Sequence, residues 1–173
     1  MKKVATIYWL LPAKPERDLF CEVVRILRKE FRAPNFEPHL TLFSASKDRE
    51  SPKKILKQIS MRPIRLTTRG VGFSPKFTKT LFVRFKSSDA LRKLVGDLGR
   101  AAKSQAKPPG DPHVSLLYTK LPRAAKKQLA AVMKLPFRTV VFDSIAAVRL
   151  TLPVRTGADV KKWKIIAKKS LRR

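Results

Sequence analysis

The chain has 173 residues, 43% of them hydrophobic, so it is long enough to bury a packed core and lacks the composition of a disordered protein. Its 40 Lys and Arg residues outnumber 12 Asp and Glu residues, which gives a formal net charge of +28. This balance excludes an acidic disordered protein and predicts attraction to polyanions such as RNA, DNA or anionic lipid.

Several protein classes are excluded by what the chain lacks. Cys21 is the only cysteine, so no intrachain disulfide can form, and we expect a reducing compartment, the cytoplasm. With two histidines and one cysteine, we expect no metal site. No apolar run approaches the roughly 20 residues that cross a bilayer. The short apolar run at 4–11 ends at Pro12 without a small-residue cleavage site, so it predicts a buried strand rather than a signal peptide.

Hydrophobic periodicity predicts strands interleaved with helices along the whole chain. The predicted elements, in chain order, are a strand at 4–11, a helix from Pro15 to before Pro34, a strand at 39–43, a helix at 51–61, strands at 64–68 and 80–85, a helix from Asp89 to before Lys107, a strand at 113–118, a helix from Pro122 to about Lys134, and strands at 137–142, 145–152 and 161–168. Residues 70–75 contain two glycines and a proline, which is typical of a loop that ends a strand.

This order of elements favours an α+β fold with antiparallel or mixed sheets over a doubly wound parallel sheet. Each half of the chain contains a helix, a proline-rich approach and a strand that begins Pro-His-x-(Thr/Ser)-Leu. We therefore expect two similar lobes that face each other within a single domain over residues 1–173.

The two histidines of the chain occur in matching contexts. His39 and His113 each follow a proline, and each precedes by two positions a hydroxyl residue, Thr41 or Ser115, which is followed by Leu. Residues i and i+2 of a strand point to the same face, so each motif places an imidazole beside a hydroxyl. A lone histidine is more often structural, but a matched pair with no other histidine in the chain favours a site.

The residue types suit the chemistry of phosphate esters. Imidazole titrates near neutral pH, so one ring can act as a general base while the other acts as a general acid. Hydroxyls are neutral donors for the non-bridging oxygens of a phosphodiester. If the two strands are neighbours, the four side chains can hydrolyse a phosphodiester in line without a metal.

The paired motifs resemble those of the 2H phosphoesterase superfamily, and more closely those of its cyclic phosphodiesterase branch. The resemblance extends over nearly the whole chain, and its segments are YWLLP at 8–12, FRAPNFEPHLTL at 31–42, DPHVSLLYTKL at 111–121 and VKKWKIIA at 160–167. It implies a bilobal α+β fold of mostly antiparallel sheet with outer helices, a central cleft and no cofactor. The implied reaction opens a cyclic phosphate on ribose, in a 2′,3′-cyclic nucleotide or in ADP-ribose 1″,2″-cyclic phosphate.

The resemblance also implies the catalytic set His39, Thr41, His113 and Ser115, in which Thr41 and Ser115 hold the phosphate oxygens. Within this set we assign His113 as the base that activates water and His39 as the acid on the leaving ribose oxygen, and the reverse order is the alternative. Trp9 and Tyr118 occupy positions where the family offers aromatic rings near the cleft, which suits stacking of a nucleobase.

Both aromatic assignments have a competing interpretation. Trp9 can equally serve in core or lobe packing. Tyr118, five residues after His113, falls on the opposite face of a regular strand, so a bulge or a position at the cleft edge is needed to bring it to the site.

The net charge of +28 is higher than is typical of the cyclic phosphodiesterase branch. Residues 151–173 contain eight Lys or Arg and one Asp, which favours either a solvated edge strand or contact with RNA. The alternatives are therefore an RNA 2′,3′-cyclic phosphodiesterase or a 2′-5′ RNA ligase-like enzyme that acts on RNA ends, and a non-catalytic basic RNA-binding protein. We expect no membrane attachment, because no basic amphipathic helix ends the chain. We also expect a monomer.

Overall fold

A computed structural model describes residues 2–45 and 50–172, so Arg173 of the basic run lies outside the described residues. The elements in chain order are β1 (Lys3–Pro12), α1 (Glu16–Glu30), β2 (Leu40–Ala45), α2 (Pro52–Gln58), β3 (Ile64–Phe73), a 3₁₀ turn (Phe77–Lys79), β4 (Leu81–Phe85), α3 (Asp89–Ala101), β5 (His113–Leu117), α4 (Arg123–Val132), β6 (Thr139–Leu152), α5 (Gly157–Val160) and β7 (Lys164–Ser170). In the described ranges, no helix is both long and apolar enough to traverse a bilayer.

The seven strands form one antiparallel sheet in the order β1-β2-β5-β4-β3-β6-β7, and β1 also pairs with β6. The hydrogen-bonded pairs therefore run from β1 through five strands and back to β1, with β7 outside this ring. The predicted α+β class with antiparallel strands is confirmed. Most important for function, β2 and β5 are neighbours, paired at Leu40 and Val114, so the two histidine motifs lie side by side.

Strand β1 is apolar on both faces because each face packs against a different cluster. Tyr8 and Leu10 belong to the main core, which also contains the buried faces of α1, α2 and α3. Trp9 and Leu11 alternate with them and pack against β6 on the opposite face. Burial of one such large side chain stabilises the fold by about 1.5–3 kcal/mol. The predicted buried first strand is confirmed.

The predicted loop at 70–75 was wrong, because β3 continues to Phe73. Gly70 has φ of 92° and lies where the register with β4 shifts, so it forms a bulge that only glycine adopts readily. Gly72 lies so close to Phe82 that an added Cβ would stand 2.9 Å from its ring. The two glycines therefore shape a strand instead of ending it.

The end of the chain also differs from the prediction. The two strands predicted at 137–142 and 145–152 are one long strand, β6, whose first residues pair with β3 while the rest pair with β1 and β7. The strand predicted at 161–168 begins only at Lys164, because α5 precedes it. Thr156 and Asp159 cap this short helix reciprocally, a signal that the sequence carries.

Candidate active site

The two motif strands carry the same irregularity. Opposite β1, strand β2 has one extra residue at Leu42; opposite β4, strand β5 has one at Leu116. Each extra residue lies three positions after a motif histidine, so the two halves of the sheet are bulged alike. A bulge interrupts the alternation of faces, which explains how Tyr118 reaches the same side of the sheet as His113.

All six side chains that the sequence singled out line one cavity of about 470 Å³. They are the two histidines, the two hydroxyl residues and the two aromatic residues: His39, His113, Thr41, Ser115, Trp9 and Tyr118. Apolar side chains also line the cavity, among them Ile7, Leu150 and Leu152.

His39 is held on two sides. Its Nδ1 donates to the backbone carbonyl of Glu37 at 2.6 Å, and its ring stacks on the indole of Trp9, with centroids 3.6 Å apart and planes at 9°. Because a carbonyl only accepts, the proton of the neutral ring is on Nδ1 and Nε2 is left as a free acceptor. Burial lowers the pKa of His39 to about 4, and His113 adds to this effect.

His113 is held in the same way. Its Nδ1 donates to the backbone carbonyl of Asp111 at 2.7 Å, so its Nε2 is also the free ring nitrogen. Burial lowers the pKa of His113, and the charges of Lys79 and Arg84 lower it further, against the opposing effects of Asp111. Near neutral pH the unliganded cavity therefore holds two neutral imidazoles.

Sequence reasoning missed the acidic residue that stands two positions before each histidine. Glu37 and Asp111 hold the imidazoles through their backbone carbonyls, while their carboxylates bind basic side chains. Glu37 pairs with Arg17 at 2.5 Å, and Asp111 pairs with Lys79 at 2.6 Å. The signal was present, because the chain reads Glu-Pro-His in one half and Asp-Pro-His in the other.

The two hydroxyls differ in their surroundings. Thr41 is exposed at the cavity. Ser115 is buried, and its Oγ donates to the backbone carbonyl of Thr78 at 2.9 Å. Ser115 also shares a hydrogen bond with the hydroxyl of Tyr118, whose pKa is raised by burial. Thr41 is thus available to a ligand, whereas Ser115 is already engaged.

The aromatic rings form two stacked pairs, and Trp163 contacts both pairs. Trp9 lies on His39, and Tyr118 lies on Phe36 with centroids 3.8 Å apart. Trp163 stands edge-on to both stacks, 5.3 Å from Trp9 and 5.8 Å from Tyr118. Trp9 and Tyr118 are only 3% and 2% exposed, whereas Trp163 is partly exposed.

Sequence reasoning also missed Trp163 as a cavity residue, because it was predicted within the last strand. It comes instead from the turn before β7 and lines the cavity. No hydrophobic period marks such a position, so the sequence carries no signal for it.

The electrostatics of the cavity are positive. Among the described residues, the charged side chains that line it are Lys76 and Lys79, and no carboxylate does so. Within residues 2–45 and 50–172, no group of three His, Cys, Asp or Glu side chains could hold a metal ion. Two neutral imidazoles, an accessible hydroxyl and two ammonium groups can bind a phosphate ester and move protons to and from it.

Comparisons with known proteins agree with this chemistry. The family model described as the 2′-5′ RNA ligase superfamily matches residues 16–152. The cyclic phosphodiesterase of Arabidopsis thaliana is 25% identical over 130 residues, which cover 73% of this chain and 72% of the plant protein.

Solved structures share the fold at low sequence identity. Escherichia coli LigT in complex with 3′-AMP aligns with a TM-score of 0.59 and 17% identity over 100% of both chains. A protein of Thermus thermophilus aligns with a TM-score of 0.58 and 20% identity over 97% of this chain and 98% of its own. These alignments, over nearly the whole of each chain, confirm the predicted fold class.

Proposed function

Because the chain belongs to the 2′-5′ RNA ligase superfamily, the 2H phosphoesterases, we propose that it is a metal-independent cyclic phosphodiesterase that opens a cyclic phosphate on ribose. Membership confirms the resemblance drawn from the paired motifs. The plant relative is a cyclic phosphodiesterase by name, which supports the same reaction class here.

The observation that carries the proposal is the convergence of the two imidazoles on one cavity with equivalent hydrogen bonds. His39 and His113 both line the cavity, and both donate through Nδ1 to the carbonyl two residues earlier. Two rings whose Nε2 atoms are free can act as the acid and the base of one in-line displacement. Surface or purely structural histidines have no reason to be held alike.

The proposed reaction is a hydrolysis. His113 takes a proton from water through Nε2 while the water oxygen forms a bond to phosphorus. The bond from phosphorus to one ribose oxygen breaks. His39, which takes up a proton on Nε2 from solvent as the anionic substrate binds, donates that proton to the departing oxygen. The product is a ribose monophosphate with one free hydroxyl, and proton exchange with solvent restores both rings.

One contact supports this order of roles, whereas the pKa directions do not rank the two rings, because burial lowers the pKa of both His39 and His113. The face of the Trp9 indole lies against His39, and an aromatic face stabilises a cation. The bound phosphate anion also favours the protonated ring. Substrate therefore raises the pKa of His39, against the lowering effect of burial.

The proposed substrate is a 2′,3′-cyclic nucleotide or ADP-ribose 1″,2″-cyclic phosphate. Thr41 supplies a donor for a non-bridging oxygen. Ser115 also lines the cavity, and its hydroxyl must turn from the carbonyl of Thr78 to bind a second oxygen. The aromatic wall, in which Trp163 is the more exposed ring, suits a nucleobase.

The experiment is a turnover assay in excess chelator with a panel of cyclic phosphates, with products identified by ³¹P NMR. We expect hydrolysis of at least one cyclic ribose phosphate, and a loss of about a thousandfold or more in His39→Ala and in His113→Ala. Circular dichroism and thermal unfolding verify that both variants are folded. Full activity in either folded variant would remove the two-histidine mechanism, and complete loss of wild-type activity in chelator would remove metal independence.

A second candidate rests on the net charge of +28. A protein so basic is expected to bind RNA, so the natural substrate can be the cyclic end of an RNA, or the protein can bind RNA without catalysis. A salt titration of RNA binding beside the turnover assay separates these functions. Tight binding that weakens steeply with salt, together with no hydrolysis of any cyclic phosphate, favours a non-catalytic RNA-binding protein.

A further inference from the structure

The charge of the substrate changes during the proposed reaction. A cyclic phosphodiester carries one negative charge, whereas the transition state and the monoester product approach two. The two imidazoles are neutral in the unliganded cavity, and Ser115 already donates to the carbonyl of Thr78. A fixed cation in the cavity wall would stabilise the added charge throughout the reaction, whereas the charges of the two histidines change as they exchange protons.

Of the two lysines that line the cavity, Lys79 is the one held in place. Its Nζ donates to the carboxylate of Asp111 at 2.6 Å and lies 4.5 Å from the ring centroid of Phe82. The Lys79 side chain is 20% exposed, whereas Lys76 is an exposed residue. A preorganised charge in a partly buried wall contributes more than a mobile one, because it needs little reorganisation when the phosphate becomes more negative.

The ion pair with Asp111 does not cancel the positive charge. Arg84 binds the other carboxylate oxygen of Asp111 at 3.3 Å, so two cations share one carboxylate. Burial would raise the pKa of Asp111, but Lys79 and Arg84 outweigh this effect and hold the pKa below its ordinary value. The cluster thus keeps one net positive charge at the cavity.

Asp111 links the Lys79 ammonium group to His113, and in the described part of the chain no equivalent link reaches His39 from a lysine of the cavity. Its backbone carbonyl accepts from His113, while its carboxylate holds Lys79. The equivalent acid before His39, Glu37, binds Arg17, which is not among the described residues that line the cavity. The two imidazoles are therefore held alike, but of these two acids only Asp111 also binds a lysine that lines the cavity.

We propose that Lys79 is a further catalytic residue, whose ammonium group contacts a non-bridging oxygen of the substrate phosphate and stabilises the charge that develops as water attacks. This inference rests on the proposed function and names the residue that neutralises its transition state. Asp111 is a positioning residue, because it fixes Lys79 and His113 relative to each other.

The test compares Lys79→Met, which keeps the length of the side chain without its charge, with Lys79→Arg, which keeps the charge. We expect Lys79→Met to lose about a hundredfold in kcat/KM and Lys79→Arg to stay within about tenfold of wild type. Lys127→Met is the matched control, because it removes the same charge from an exposed site on α4. If Lys79→Met does not fold, Lys79→Gln replaces it.

Two further measurements distinguish a direct contact from a structural role. Inorganic phosphate binding, followed by ³¹P NMR, should weaken about tenfold or more in Lys79→Met and stay unchanged in Lys127→Met. The acid limb of the kcat/KM profile should move to higher pH in Lys79→Met, because the charge that lowers the pKa of His113 is gone.

The outcomes of the proposed function and of this inference are separable. Wild-type turnover with equal kcat/KM and equal phosphate binding in Lys79→Met overturns the role of Lys79 and leaves the proposed function intact. Absence of turnover in wild type counts against the proposed function, and phosphate binding then decides on Lys79 alone. Wild-type protein that binds no inorganic phosphate, or binds it as well without Lys79, overturns the inference.

Discussion

The imidazole of His39 lies flat against the indole of Trp9, with ring centroids 3.6 Å apart. The sequence offered two roles for Trp9, as a platform for a nucleobase or as a packing residue. In the structure Trp9 is buried, packs in the apolar cluster of β1 and β6, and gives one ring face to a motif histidine. Its environment therefore connects packing directly to the proposed chemistry.

Replacement of Trp9 tests that connection. Trp9→Leu removes the ring face that stabilises protonated His39, a contribution of about 1 kcal/mol, so we expect kcat to fall about fivefold. Trp9→Phe keeps a ring face and should lose less. Steady-state kinetics on the best cyclic substrate measure the difference, and thermal unfolding corrects for lost packing. Equal kcat in the folded Leu and Phe variants would mean that the stack has no catalytic role.

Stability should depend on pH through His39. The pKa of His39 is lowered from 6.5 to about 4 in the folded protein, so between these values the unfolded chain binds a proton that the folded chain does not. The free energy of unfolding is therefore fully retained above about pH 6.5 and falls, by up to about 3 kcal/mol, as the pH drops to about 4.

Urea unfolding at about pH 7 and about pH 4.5 measures this dependence. His39→Gln should flatten it, because glutamine does not titrate, while Lys127→Met should leave it as in wild type. A pH dependence that is identical in wild type and His39→Gln would show that other groups cause the acid destabilisation.

The acid and base roles can be separated with a modified leaving group. A cyclic substrate with sulfur at the bridging, departing position releases a thiolate, which needs no proton from a general acid. We expect this substrate to restore most of the activity of His39→Ala, by about a hundredfold relative to the oxygen substrate, and to restore little in His113→Ala. Rescue of His113→Ala instead would reverse the two roles.

The approach of Gly72 to Phe82 provides a test of packing beside the site. A Cβ at Gly72 would stand 2.9 Å from the ring of Phe82, and Phe82 meets His113 edge-on with centroids 5.2 Å apart. Gly72→Ala should therefore destabilise the fold by about 1–3 kcal/mol and reduce kcat through His113. Gly110→Ala is the matched control, because nothing lies within 4 Å of a Cβ there. Thermal unfolding and kinetics of the two variants measure the contrast, and equal behaviour would show that Phe82 moves without cost.

Much of the fold followed from local patterns in the sequence. Alternating and helical periods located strands and helices because each element must bury one face, and the order of elements indicated the α+β class. Periodicity failed at 70–75, where Gly70 and Gly72 serve a bulge and a close contact inside a strand. It also divided β6 in two at Asp143 and Ser144, two polar residues inside the strand, where the register with β1 shifts.

Some features of the candidate site also followed from local sequence patterns, and others did not. The sequence by itself determined that His39 and His113 each stand beside a hydroxyl on one strand face, since i and i+2 alternation is a local property of the backbone. Only the tertiary structure decided that β2 and β5 are neighbours, that the bulge in β5 brings Tyr118 to the cavity, and that Lys79 and Trp163 reach it from distant segments. These relationships depend on strand pairing and packing between residues far apart in the chain, which no local pattern encodes.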